Sequence, residues 1–179
     1  GTSNELALKA AKQTGAFSGA MRPNLVNLLN HVGINRWLGI QTCETLFSSE
    51  ADLVQTTSAL RNAVFVNGEN YNGTPNMLRH PLLRKHLLTH FGKDARALSN
   101  AVFVPLGDKV AEALRFVADH GLIDRTRILD GLPHPSGANA ERIAYFLGRK
   151  DRSELSVKTD PVKIDQARVS MVNKVAALA

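Results

Sequence analysis

Ala101-Val102-Phe103-Val104-Pro105-Leu106 is a short, almost wholly apolar run. Apolar side chains on successive residues suit a strand covered on both faces, as in a parallel sheet. Outward from it, Gly107 leads into a helical pattern in which Val110, Ala113, Leu114 and Val117 face a core, ending at Gly121. Arg127 to Leu129 reads as the next strand. It opens onto Leu132-Pro133-His134-Pro135-Ser136-Gly137, after which a helix runs from near Asn139 to Leu147. Upstream, the apolar and Thr-rich stretch from Leu53 to Leu60 reads as another strand, which Asn62 to Val66 continues or follows. Strands alternating with helices predict an α/β domain with a mainly parallel sheet. Right-handed crossovers would line the strand C-termini along one edge, where ligands bind. Three features fall on that edge: the turn after Leu60, the Leu106-Gly107 step and the His134 segment.

The remaining segments read mainly as helices and turns. Asn4 to Lys12 is short and helical without a clean apolar face, and Gln13 to Met21 is loop-like. Pro23 stands as a first helical residue, with Leu25, Leu28, Leu29 and Val32 at helical spacing until Gly33. Trp37, Leu38 and Ile40 suggest a second short helix or turn. Asn67 to Pro75 is dense in turn formers, with Thr74 expected to cap and Pro75 to start a helix that Pro81 bends or restarts. Leu83, Leu87 and Phe91 form one face of that helix and Gly92 is expected to end it. Asp160 caps a last helix, with Pro161 in its first turn and Ile164, Met171, Val175 and Leu178 along one side. Residues 1–179 are read as one domain, with a helix or tail over 1–14 and a closing helix over 160–179.

With 44% hydrophobic and 21% charged residues, the 179-residue chain can bury a sizeable core and is not of disordered composition. No apolar run is long enough for a membrane span, and no signal-peptide pattern opens the sequence. Cys43 stands alone, which excludes an internal disulfide, a four-cysteine zinc site and a cysteine-ligated iron–sulfur cluster, and suits a reducing cytoplasm. A net charge of +6 attracts polyanions, nucleic acid being the commonest in that compartment. Arg79, His80, Arg84, Lys85, His86, His90, Lys93 and Arg96 form the densest positive region. Arg84 and Lys85 share a face with neither Leu83 nor Leu87, so they point outward, as a phosphate-contacting surface or an ordinary solvated face. The three histidines of this region lack a carboxylate at i+3 or i+4 and make a poor metal site.

The His134 segment carries the chemistry. Each flanking proline fixes its own φ and biases its predecessor towards extended geometry, so the imidazole is aimed. Ser136 and the amides behind it can hydrogen-bond an anionic oxygen, although Ser136 equally suits a helix cap. Asn139 and Arg142 could probe a groove or be solvated.

Taken together, these segments resemble the uracil-DNA glycosylase superfamily, from about Gly15 to Gly148 and in family order. Gly15-Ala16-Phe17-Ser18-Gly19 is similar to its Gly-x-x-Phe-x-Gly loop, and Val32-Gly33-Ile34 to the corner that ends the next helix. Thr56-Thr57-Ser58-Ala59-Leu60 falls where the second strand carries pyrimidine-reading residues, and Gly68 to Pro75 is similar to the loop after it in single-strand-selective members. Val104-Pro105-Leu106-Gly107 and His134-Pro135-Ser136-Gly137 are similar to the strand–Leu-Gly–helix step and the His-Pro-Ser motif.

The resemblance implies a three-layer α/β/α fold on a mainly parallel central sheet. It implies DNA as partner, and excision of uracil or a related damaged base by a monomer without cofactor or metal. His134 would stabilise the negative charge developing on the departing base. Phe17 would stack on that base and Thr57 and Ser58 would read it. Ser136 and Gly137 would hold a neighbouring phosphate, with Asn139, Arg142, Arg84 and Lys85 as further DNA contacts. The chain departs from the pattern at the first strand, whose Asp, Asn or Glu positions the attacking water. Residues 1–14 hold no strand-like apolar run, and Glu5 sits in a helical pattern. The chain either starts beyond that strand or lacks the water-activating group. Two alternatives follow: a glycosylase-fold protein that binds nucleic acid or a nucleotide without hydrolysis, and an unrelated α/β protein with a phosphate ligand beside His134.

Overall fold

Leu25, Leu28, Leu29 and Val32 are buried along helix α1 (Met21–Val32). Gly33 stops it at φ 94°, a left-handed conformation that costs glycine nothing. The chain then turns through α2 (Ile34–Trp37) and 3₁₀ turns at Cys43–Phe47 and Ala51–Leu53. A two-residue turn at Asn67-Gly68 joins β1 (Phe65–Val66) to β2 (Glu69–Asn70). Helix α3 (Pro81–His86) passes through a π-helical turn at Leu87–Gly92 into α4 (Lys93–Arg96). Then come α5 (Asp108–Asp119), a 3₁₀ turn at Gly137–Asn139 running into α6 (Ala140–Phe146), and α7 (Pro161–Ala176). This computed structural model describes residues 17–60 and 62–178; Asn4 to Lys12, Glu5 and the loop before Phe17 lie outside them.

The contacts group the chain into two compact units. One takes in residues 17–56 and 131–178, the other residues 57–130. In the first, α1 packs on α6 and α7, and α6 on α7. Leu28, Val32, Phe146 and Met171 are almost wholly shielded there. The Asp160 carboxylate accepts from the Val162 and Lys163 amides at 3.0 and 3.2 Å, so the expected cap of the last helix forms with Pro161 behind it. Asn30 fastens the turn after α2: its Oδ1 accepts from the Cys43 amide at 2.8 Å and its Nδ2 donates to Thr42 Oγ1 at 3.1 Å. Burial pushes the Cys43 thiol up to about 11.

In the second unit Leu83, Leu87 and Phe91 pack with Ala113, Leu114, Val117 and Ile128, as the spacing predicts. Gly92 does not end the helix. A Cβ there would come within 2.6 Å of Leu122 Cδ1, so this glycine serves close approach and not termination. Pro75 does not start a helix either; its peptide bond with Thr74 is cis, and the helix begins at Pro81.

The expected three-layer α/β/α fold on a mainly parallel central sheet does not form. The sheet among the described residues is the two-stranded antiparallel hairpin β1–β2. Of the parallel pairing, one bridge survives: the Phe103 amide donates to Arg127 O at 2.9 Å and the Leu129 amide to Phe103 O at 2.8 Å. The ladder stops there because Pro105 has no N–H to offer, and Arg125–Arg127 is wound into a 3₁₀ turn capped by Asp124. Val102, Phe103 and Val104 are only half-buried, so the run is not covered on both faces. Leu53 to Leu60 makes no strand: Gln55, Thr57 and Ser58 are exposed and leave no apolar face to bury.

Candidate functional site

Pro135 is fully buried in the first unit, and its carbonyl accepts from Asn24 Nδ2 of α1 at 2.9 Å. That bond pins the segment from both sides of the sequence and leaves His134 and Ser136 half-buried beside it. The Ser136 amide donates to His134 Nδ1 at 3.2 Å. With Nδ1 as acceptor, the ring proton sits on Nε2, the nitrogen left to meet a ligand.

From Ser136 the contacts run on to a guanidinium. Asn139 Nδ2 donates to Ser136 Oγ at 3.2 Å, and Arg142 Nη1 donates to Asn139 Oδ1 at 2.8 Å. Arg142 Nη2 then donates to Lys158 O at 3.1 Å. Ser136 occupies the position before the 3₁₀ turn Gly137–Asn139, yet its side chain caps no backbone amide. Its oxygen accepts from Asn139 instead, so the helix cap that the sequence also suits does not form. Gly137 is exposed, and a Cβ there would meet nothing within 4 Å. Packing therefore does not require a glycine at that position.

Next to Arg142, Glu141 holds the return loop. Its carboxylate accepts from Thr159 Oγ1 at 2.5 Å, Ser156 Oγ at 2.7 Å, the Ser156 amide at 3.1 Å and Lys150 Nζ at 3.0 Å. These donors, Thr159 foremost, hold the carboxyl down at about 2. An open cleft of about 310 Å³ lies there, lined by Asn139, Glu141, Arg142, Ser156, Lys158 and Thr159 among others. The loop begins with a reciprocal cap between Asp151 and Glu154, a spacing visible in the sequence.

The other sequence-predicted residues do not join this chain of hydrogen bonds. Phe17 belongs to the same unit, but its ring packs edge-on against Phe47 with centroids 6.2 Å apart, and Arg22 sits 4.9 Å from the Phe47 ring centre. Thr57, Ser58, Arg84 and Lys85 belong to the second unit and are exposed. In that unit the His86 and His90 rings stand 4.3 Å apart, and burial, then His90, lowers the His86 pKa. No group of three metal-ligating side chains forms among the described residues. No helix among them is long and apolar enough to cross a membrane. Sequence reasoning missed Asn24, Glu141, Ser156, Lys158 and Thr159. Glu141 and its partners are 9 to 18 residues apart, a spacing that no local pattern encodes.

No protein-family model and no solved structure matches the chain. The chain is similar to the uncharacterized protein YoxB of Bacillus subtilis (strain 168), with 32% identity over 171 residues. That match takes in 93% of this chain, which spans 66% of the length of that relative.

Proposed function

We propose that the chain binds DNA in the cytoplasm and cleaves the N-glycosidic bond of uracil or a related damaged base. Function resides in a site and not in a fold, so the reading rests on the His134 segment and not on the sheet that fails to form. The observation that carries it is the Ser136 amide donating to His134 Nδ1. It leaves Nε2–H as a fixed donor for the oxygen of a departing base. As the C1′–N bond breaks, its electron pair goes to the base, and a donor already aimed at that charge lowers the barrier. Water adds to C1′ and its proton ends on the free base. Ser136, Gly137, Asn139 and Arg142 hold the adjoining phosphate, while the exposed Arg84 and Lys85 add long-range attraction for the strand.

A second reading, DNA binding without hydrolysis, draws support from Glu141. This carboxylate near His134 in sequence is engaged by three side chains and one amide, and so is not a free base for water. Excision measured on uracil-containing single-stranded and duplex oligonucleotides separates the two. In the first reading His134→Ala lowers the excision rate by about a hundredfold or more, the usual cost of losing a charge-stabilising donor. Excision that survives His134→Ala unchanged removes His134 from the mechanism. Salt-sensitive binding with no excision selects the second reading, and absence of both sinks the nucleic-acid assignment.

A further inference from the structure

We infer that the cleft between α6 and the 152–159 loop is a phosphate subsite, with Arg142 and Lys158 as its cations and Glu141 as the residue that positions its walls. Arg142 is only partly engaged. A guanidinium carries five N–H donors, and here one on each terminal nitrogen is used, to Asn139 Oδ1 and to Lys158 O. Three N–H groups remain on a plane whose orientation is fixed at both ends. A fixed planar fork suits two oxygens of one phosphate better than a single carbonyl.

Lys158 supplies the second charge. It is exposed, lines the cleft, and its ammonium forms no ion pair among the described residues. Its carbonyl and not its side chain holds Arg142, so the ammonium is not needed for the architecture. A carboxylate in the wall would ordinarily repel an anion. Glu141, however, is neutralised by Lys150 at 3.0 Å, and both its oxygens accept from the hydroxyls of Ser156 and Thr159 or the Ser156 amide. With that pair cancelled, Arg142 and Lys158 leave the cleft with two positive charges. Glu141 thereby acts as a clamp that keeps the 156–159 segment beside Arg142.

The ligand chemistry is a phosphate group, and its source is either a phosphodiester of a bound strand or a free phosphate monoester. The strand source rests on the nucleic-acid reading above; the phosphate itself does not. Two titrations of the full chain separate them. In the first, inorganic phosphate is added while the amide resonances of Ser156 and Thr159 and the Nε–H of Arg142 are followed. In the second, a single-stranded oligonucleotide is titrated across a salt series.

Phosphate is expected to shift those resonances in the parent chain and not in Lys158→Ala. The slope of log Kd against log salt for the oligonucleotide should fall by about one in Lys158→Ala, as for one lost phosphate contact. Lys163→Ala, an exposed lysine off the cleft, should leave both readouts unchanged. Glu141→Gln should weaken phosphate binding while Arg142 and Lys158 both remain. Phosphate shifts abolished by Lys158→Ala without any oligonucleotide binding support the subsite and overturn the strand as its source. Shifts and salt slope that are both indifferent to Lys158→Ala overturn the subsite, whatever becomes of excision at His134.

Discussion

Residues 57–130 form a unit from one uninterrupted stretch, whereas the unit carrying His134 joins two stretches far apart in the sequence. The contiguous unit is held mainly by the apolar cluster of Leu83, Leu87 and Phe91 with Ala113, Leu114 and Val117. The discontinuous unit also buries apolar side chains, but specific polar bonds tie its two stretches together. Asn24 reaches Pro135 O, and Trp37 Nε1 donates to Leu178 O at 2.8 Å. The His31 ring lies 5.8 Å from that of Phe146. Apolar contacts tolerate small shifts, while a hydrogen bond to a buried carbonyl fixes position to a few tenths of an ångström. The proposed site lies in the unit whose two stretches are tied by such bonds.

The sharpest way to break this comparison is to empty each interior in turn. Phe146→Ala in the discontinuous unit should cost about 3–5 kcal/mol and Leu87→Ala in the contiguous one about 2–5 kcal/mol, read from urea unfolding. A cost near zero for either would mean that its unit is not packed as described. Next in size is Asn30→Ala, which strands the amide of fully buried Cys43 without its acceptor. Its expected cost is about 1–3 kcal/mol, and an unchanged midpoint would show that the turn after α2 is held by something else. Asp160→Ala should lower stability by about 1 kcal/mol by uncapping α7.

The finest distinction concerns acid. Glu141 is depressed from its ordinary 4.5 to about 2 by Thr159, Ser156 and Lys150. A carboxyl with a lowered folded-state pKa stabilises fully above its unfolded value, and that stabilisation is lost as pH falls towards the folded one. The parent should therefore lose stability between about pH 4.5 and 2 relative to Glu141→Gln, the two curves converging at the acid end. Parallel curves over that window would mean that the carboxylate is not engaged as described.

Helices were largely legible in the sequence because their signals are local. Gly33 after α1, Asp160-Pro161 before α7 and the spacing of Leu83, Leu87 and Phe91 all depend on residues within a turn or two. The sheet was not legible in the same way. Whether Ala101 to Leu106 becomes a buried strand depends on neighbours on both sides, and an apolar run cannot state that it has only one. Of the candidate site, His134 to Arg142 was readable because its contacts stay within nine residues. Asn24, Lys158 and Thr159 join it through tertiary contacts alone. The contact of Phe17 with Phe47, thirty residues away in the chain, is likewise one that no local pattern encodes.

Cys43 gives the discontinuous unit a built-in clock. A shielded thiol whose ionisation is pushed up to about 11 offers almost no thiolate to an alkylating reagent while the unit is closed. Maleimide uptake at neutral pH would then time the openings of that unit, one thiol per molecule, with no label to engineer.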